Sequence, residues 1–353
     1  MPHVRSLFEK IAIETEEDYQ NIIKKLESFG VTVLRPTIPK EIDQCRLPSG
    51  RLCKPPMNPR DYTGMFGTRF YQSQTSMTIQ KFYKNIKEPD WPDINNKEDF
   101  ENLPNSIRKK CINVHQLFNH EKNFELSNCY NDIFEHIKQQ GNEVIEDSGL
   151  INGAMATRVG RDMYFGTWSY DQDRDHVLNI VNRKFLHTRN HVVNTYGHSD
   201  GTFCPVCPGF IISLYDIPTY ANTFPGWEVF YLPGQSWSKV SPFLRLKEKN
   251  KGKWWIPGFE NDNEVTDVVE QWLGHWTGYV EETVFDVNML IVDPKNVIVF
   301  GYNKHVFNAL SRYGITPHIV PFRHRYFWDG GIHCVTSDLH REGTMQDYFP
   351  QRG

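Results

Sequence analysis

Two blocks of this chain repeat one another. Arg60-Asp61-Tyr62 runs into Phe66-Gly67-Thr68, and Arg161-Asp162-Met163-Tyr164 runs into Phe165-Gly166-Thr167. Each block leads to a stretch with helical periodicity, the first ending near Tyr83 and the second near Phe185. A looser third copy follows Asp293-Pro294-Lys295-Asn296, with a strand over 297–300, Gly301-Tyr302, a helix over 304–313 and a strand over 315–320. Strand-turn-strand-helix repeated at wide spacing predicts a pseudo-symmetric fold built from copies of one supersecondary unit. Residues at strand ends and in the loops that follow would then reach a shared centre.

The remaining segments fill in the same picture. Tyr19, Ile22, Ile23, Leu26 and Phe29 predict a helix over 15–29, with Thr15 and Asp18 as a capping box and Gly30 as its C-cap. A strand is predicted over 31–34, a helix over 127–140 and a short strand over 143–146. Further strands are predicted over 209–214, 227–232 and 287–292, with a helix over 264–276. Residues 86–125 are polar and carry Pro89, Pro92 and Pro104, so they read as a decorated connection. The Lys-rich stretch 247–253 before Trp254-Trp255 reads as a solvated surface loop.

Composition excludes several classes. The 353 residues are 39% hydrophobic and 14% aromatic, enough for an ample core. Lys+Arg 39 against Asp+Glu 43 gives a net charge of -4, which offers nucleic acid or an anionic membrane no attraction. The first residues lack the apolar core of a signal peptide, and no apolar run approaches the ~20 residues of a membrane span. Seven cysteines and no Asn-x-Ser/Thr acceptor suggest free thiols in a reducing, cytoplasmic setting.

Chemistry is concentrated in two places. Gly330-Gly331-Ile332-His333-Cys334 delivers a thiol from a glycine turn. Cys is the side chain already partly ionised near neutral pH, so Cys334 reads as a nucleophile or as a small buried Cys of a late strand. In an extended segment His198 and Asp200 would point to one face, with glycines on either side. Cys204-x2-Cys207 and His187-x3-His191 have ligand-like spacing, but the second pair of a structural zinc site is missing. No phosphate loop, dinucleotide fingerprint or Gly-x-Ser-x-Gly elbow occurs. Carboxylates around a Cys and a His favour a cationic substrate, and a guanidinium matches carboxylate forks.

The block Gly330-Gly331-Ile332-His333-Cys334-Val335-Thr336-Ser337-Asp338-Leu339-His340-Arg341-Glu342-Gly343-Thr344 resembles the arginine:glycine amidinotransferase family of the pentein, or guanidino-group-modifying, superfamily. So do His198-Ser199-Asp200-Gly201-Thr202-Phe203, Pro59-Arg60-Asp61 and Arg158-x-Gly160-Arg161-Asp162. The resemblance implies an α+β fold (an α/β propeller) of five pseudo-repeated ββαβ-type modules around a central active site. It implies one domain over 1–353, with a variable polar insertion at about 86–140. The activity implied is transfer of an amidino group from a guanidino donor to an acceptor amine, with no cofactor and no metal. Small molecules are then the partners, with no nucleic acid or membrane and a homodimer left open.

Carried over residue by residue, Cys334 becomes the nucleophile and His198 the acid and base, while Asp61 and Asp200 hold the guanidinium. Three positions depart from the family. Asn152 stands where the family has the Asp that pairs with the catalytic His, so Asp286 or Asp147 would have to supply that charge. Ile217 stands where an Arg grips the substrate carboxylate, and Asp286 replaces a small hydroxyl residue. Losing a cation and gaining an anion disfavours an α-carboxylate and favours a second amine on the substrate. Two other expectations remain on the same scaffold: a guanidino hydrolase or deiminase, and a catalytically silent pentein.

Overall fold

The computed structural model describes residues 2–44, 52–73, 79–108, 110, 129–147, 152–167, 174–195, 197–214, 220–233, 259, 262–273 and 286–352. The Lys-rich stretch 247–253 and Ile217 lie outside them.

The chain opens with α1 (Pro2–Glu27). Four modules follow among the described residues. The first is β1 (Thr63–Phe66), β2 (Arg69–Ser73), α2 (Asn131–Gln139) and β3 (Glu143–Asp147). The second is β4 (Ala156–Val159), β5 (Asp162–Thr167), α3 (Arg174–Lys184) and β6 (Arg189–Asn194). The third is β7 (Phe203–Cys207), β8 (Phe210–Ser213), α4 (Tyr220–Thr223) and β9 (Glu228–Tyr231). The fourth is β10 (Leu290–Asp293), β11 (Asn296–Val299), α5 (Lys304–Arg312) and β12 (Thr316–Ile319), and α6 (Arg325–Trp328) comes after it. Each module is a three-stranded sheet in sequence order, an antiparallel hairpin followed by a parallel third strand. A parallel neighbour needs a crossover connection, and a helix lies in that crossover each time.

The expected repetition is therefore real, but its register differs from the sequence reading. Gly67, in the first Phe-Gly-Thr, turns the β1–β2 hairpin at φ 67°, whereas Gly166, in the second, lies inside β5. The residue equivalent to Gly67 is Gly160, at φ 59° in the β4–β5 turn, and Gly209 at φ 89° serves β7–β8. These positive-φ turns suit the twist of a hairpin and admit Gly at no steric cost. In the fourth module Asp293 takes over, its carboxylate accepting from the Lys295 N–H at 2.7 Å in an Asx turn. First residues of the second strands, Arg69, Asp162, Phe210 and Asn296, face Glu143, Arg189, Glu228 and Thr316 across the parallel pairing. The four strand-opening residues are all of different types, and only Glu143 and Glu228 match among their partners, so identity could not reveal the true alignment.

The chain divides into two compact units. One contains 1–35, 201–216 and 226–335, and so α1 and the third and fourth sheets. The other contains 36–200, 217–225 and 336–353, and so the first and second sheets.

In the first of these units α1 is longer than predicted, starting at Pro2 rather than Thr15. Its buried stripe is Val4, Leu7, Ile11, Thr15, Asp18, Ile22 and Leu26. Thr15 and Asp18 are interior positions of that stripe, so the capping-box reading is corrected: both serve tertiary contacts described below. The other end is as expected, a Schellman cap in which Gly30 N–H donates to Glu27 O at 2.9 Å and Val31 N–H to Leu26 O at 3.2 Å. The predicted strand over 31–34 does not form, and those residues leave the helix as irregular chain. The core joins Phe210, Ile212, Val297, Val299, Val306 and Leu310. Cys204 and Cys207 lie on β7, with Cys204 in this core.

In the second unit the described part of the polar stretch, 86–108, carries more core than its composition suggested. Trp91, Ile94, Phe100 and Leu103 are buried with Tyr71, Met163, Phe165, Val177 and Ile180. Burying side chains of this size contributes about 1.5–3 kcal/mol apiece. Asp162 is fully buried and accepts from Arg189 Nη2 at 2.7 Å, Arg352 Nη1 at 2.5 Å and His191 Nε2 at 2.7 Å. Burial alone would raise its carboxyl, but the bonds from His191, Arg352 and Arg189 hold it below the usual carboxylate range.

A group depressed in the fold stabilises at neutral pH and loses that contribution as pH falls from its unfolded value through its folded one. Asp162→Asn is therefore expected to cost about 3–5 kcal/mol at neutral pH, since two guanidinium groups lose their buried partner. It should also flatten the acid limb of the stability curve below about pH 4. Urea midpoints of wild type and variant between neutral and acid pH measure both. An unchanged acid limb in the variant would show that Asp162 is not its source.

Candidate active site

The turn that carries Cys334 is built entirely within the unit that holds α1. After α6, Asp329 takes the left-handed conformation at φ 52° and ψ 55°, the one positive-φ non-glycine among the described residues. Gly330-Gly331 follows, and 332–335 turn tightly, with Val335 N–H donating to Gly331 O at 3.1 Å. Asn288 organises this turn from below. It is 1% exposed, and its Oδ1 accepts from the backbone N–H of His333 at 2.9 Å and of Cys334 at 3.1 Å. Its Nδ2 donates to Cys334 Sγ at 3.0 Å. An amide N–H aimed at sulfur favours the thiolate over the thiol, the form that attacks carbon.

Gly331 is obligatory here for a different reason from the hairpin glycines. A Cβ at this position would lie 2.3 Å from Asn288 Oδ1 and 2.7 Å from Asn288 Cβ. Two residues before Asn288, the Asp286 carboxylate accepts from Asn303 Nδ2 at 2.6 Å. Asn303 also caps α5, its Oδ1 accepting from His305 and Val306 N–H. The Asp286 carboxylate is thus oriented by a residue that is itself fixed at a helix terminus.

In the other unit Pro59–Tyr62 forms one helical turn, with Pro at its first position, where a missing N–H costs nothing. Arg60 is buried and bridges to Asp338 at 3.1 Å, so two residues of the motifs hold each other. Asp61, half-buried on the same turn, has Oδ1 3.5 Å from His198 Nδ1. Asp200 is buried on the 3-10 turn Ser199–Gly201, and its N–H donates to Ala154 O at 3.3 Å. Ser199 Oγ donates to Met155 O at 2.7 Å, which ties the His-Ser-Asp segment to the turn at 152–155.

Several expectations change at this level. Asp200 does not lie in an extended segment as expected: Ser199–Gly201 forms a 3-10 turn directly after His198, so the period-two alternation of a strand does not apply to the pair. Asn152 is buried, and its Oδ1 accepts from the N–H of Ala154 at 3.1 Å and Met155 at 2.8 Å. Its carbonyl is thus engaged in capping its own turn rather than steering an imidazole. Within this unit Asp61 places a carboxylate oxygen 3.5 Å from His198 Nδ1. Asn288 and Asn303 were not singled out from the sequence. The signal for Asn288 was present, a polar side chain inside the apolar run Val287–Val292, where buried polar groups need a partner.

Sheet order and crossovers define the class of fold, a pentein-type assembly of ββαβ modules. The solved structure of SxtG, an amidinotransferase of Microseira wollei in the saxitoxin biosynthetic pathway, matches with a TM-score of 0.59 at 16% identity, over 96% of this chain and 87% of that one. Inosamine-phosphate amidinotransferase of Streptomyces griseus matches with a TM-score of 0.59 at 14% identity, over 96% and 84%. At such identities the likeness establishes the fold.

Sequence comparison adds kinship. Mitochondrial glycine amidinotransferase of Xenopus tropicalis is 27% identical over 204 residues, 54% of this chain and 39% of that protein. L-arginine:L-lysine amidinotransferase of Pseudomonas savastanoi pv. phaseolicola is 21% identical over 153 residues, 43% and 33% of the two chains. The chain thus spans about two-fifths of the length of the first of these curated relatives. No family model matches the sequence. The chain is a homologue of the amidinotransferases and has their fold. Among the described residues no helix is long and apolar enough to cross a membrane.

Proposed function

We propose that this chain is an amidinotransferase that works through a covalent amidino-cysteine. The Cys334 thiolate adds to the guanidinium carbon of the donor. His198 gives a proton to the leaving amine, the C–N bond breaks, and an amidino-thioether remains. The acceptor amine then loses a proton to His198 and attacks the same carbon, and Cys334 departs as thiolate. Asp61 and Asp200 hold the guanidinium and amidino nitrogens by charge-assisted hydrogen bonds. Asp61 also lies beside His198, its Oδ1 3.5 Å from His198 Nδ1. The observation that carries this reading is the Asn288 amide donating to Cys334 Sγ at 3.0 Å, which supports a role for the thiol as nucleophile.

The Asp286 carboxylate supports a donor without an α-carboxylate, agmatine rather than arginine. Agmatine is expected to be used at least about tenfold more efficiently than arginine, the effect of one unfavourable charge contact. Asp286→Ser should narrow that gap. A marked arginine preference that Asp286→Ser leaves unchanged would remove Asp286 from substrate selection. Product analysis with and without an added acceptor amine tests the reaction type. A guanidino product formed only with acceptor supports transfer, and a ureido product without it would mean a hydrolase instead.

A further inference from the structure

The segment that leads into the nucleophile turn is gripped along its whole length by α1. Phe322 packs edge-on against Tyr19, with ring centroids 5.5 Å apart. Arg323 donates from its backbone N–H and its Nε to the two oxygens of Asp18 at 2.7 and 2.9 Å, and from Nη2 to Glu14 O and Glu17 Oε2 at 2.7 Å. His324 Nε2 lies 2.7 Å from Glu14 Oε2. Phe327 packs on Phe8, and the buried Trp328 Nε1 donates to Thr15 Oγ1 at 2.8 Å. The next residue is the left-handed Asp329, and five residues after Trp328 the chain reaches the Asn288 clamp at His333.

Asp329 through Ile332 is thus a four-residue span held at both ends, by Thr15 before it and by Asn288 after it. A left-handed conformation costs a non-glycine residue free energy and persists only where its surroundings impose it. The grip of α1 is what imposes it on the upstream side. A polar pair such as Thr15 and Asp18 in the middle of a buried helical stripe would be costly without that purpose.

We infer that α1 is a positioning element for Cys334, with Thr15 and Asp18 fixing the entry to the nucleophile turn so that the sulfur meets the Asn288 amide. The inference rests on Cys334 being the nucleophile, and its test is read on the thiol itself rather than on transfer. The rate at which iodoacetamide alkylates the Cys334 peptide is followed by mass spectrometry across pH in wild type, Thr15→Val and Thr15→Ser. Valine matches the shape of threonine without the hydroxyl acceptor, and serine restores that acceptor.

Thr15→Val should move the pH midpoint of alkylation upward and lower the neutral-pH rate about tenfold, the factor that corresponds to one buried hydrogen bond. Thr15→Ser should return both towards wild type. A wild-type profile in folded Thr15→Val, with only its melting temperature lowered, would make α1 mere scaffold and overturn the inference. Should Thr15→Val fail to fold, Arg323→Lys, at a side chain 37% exposed, is read the same way. If instead wild-type Cys334 reacts no faster than an ordinary exposed thiol, the nucleophile reading itself fails, which is a distinct outcome.

Discussion

Cys334→Ala should abolish amidino transfer, lowering the turnover by about 10⁴-fold or more, the scale on which removal of a covalent nucleophile acts. A guanidinium carbon is a poor electrophile because its charge is shared among three nitrogens. Without the thiolate, the acceptor amine would have to attack that carbon directly, in one high step instead of two lower ones. Binding should survive, because Asp61 and Asp200 are untouched. The fold should survive too: Cys334 is only half-buried, and the turn's hydrogen bonds to Asn288 Oδ1 come from backbone N–H groups that alanine keeps. The expected signature is therefore lost turnover with a melting temperature near that of wild type.

Asn288→Asp should have the next largest effect. A carboxylate retains the two acceptor bonds from His333 and Cys334 N–H, so the turn keeps its anchor. What changes is the contact with sulfur. In place of an N–H donor at 3.0 Å the thiolate meets an anionic oxygen, and like charges in a partly desolvated site oppose ionisation. Turnover near neutral pH should fall by about 10- to 100-fold, the equivalent of one to two pH units, and should recover as pH is raised. A drop that is constant across pH would mean that Asn288 acts through shape alone. Asn288→Leu, which loses all three bonds, is expected to destabilise the turn as well.

The sequence carried the repetition, and with it the fold class, because strand, turn and helix recur even where residues do not. It misled on register, since the matching Phe-Gly-Thr triplets occupy a hairpin turn in one module and a strand interior in the other. Gly67 and Gly160 are equivalent because both need positive φ, a constraint that identity matching does not register. The third module escaped notice for the same reason: Pro208-Gly209 makes its turn, but β7 was read only as a metal-spacing motif.

Thr15 and Asp18 carried a cap signature that the longer stripe beginning at Val4 overrides. The candidate residues Cys334, His198, Asp61 and Asp200 were singled out from local motifs. Asn288 was not, because its role depends on a contact with a chain segment 46 residues away. The task of Asn152 was likewise invisible from the sequence. The same side chain can steer a neighbouring ring or cap its own turn, and only the backbone path decides which.

Incubation with a guanidino donor in the absence of acceptor, followed by acid quench and peptide mass analysis, tests the central claim most directly. The account predicts one amidino group on the Cys334 peptide and on no other cysteine. That group should disappear on adding an acceptor amine, with an equal amount of guanidino product formed. Transfer that proceeds while the Cys334 peptide stays unmodified, and that persists in Cys334→Ala, would contradict it.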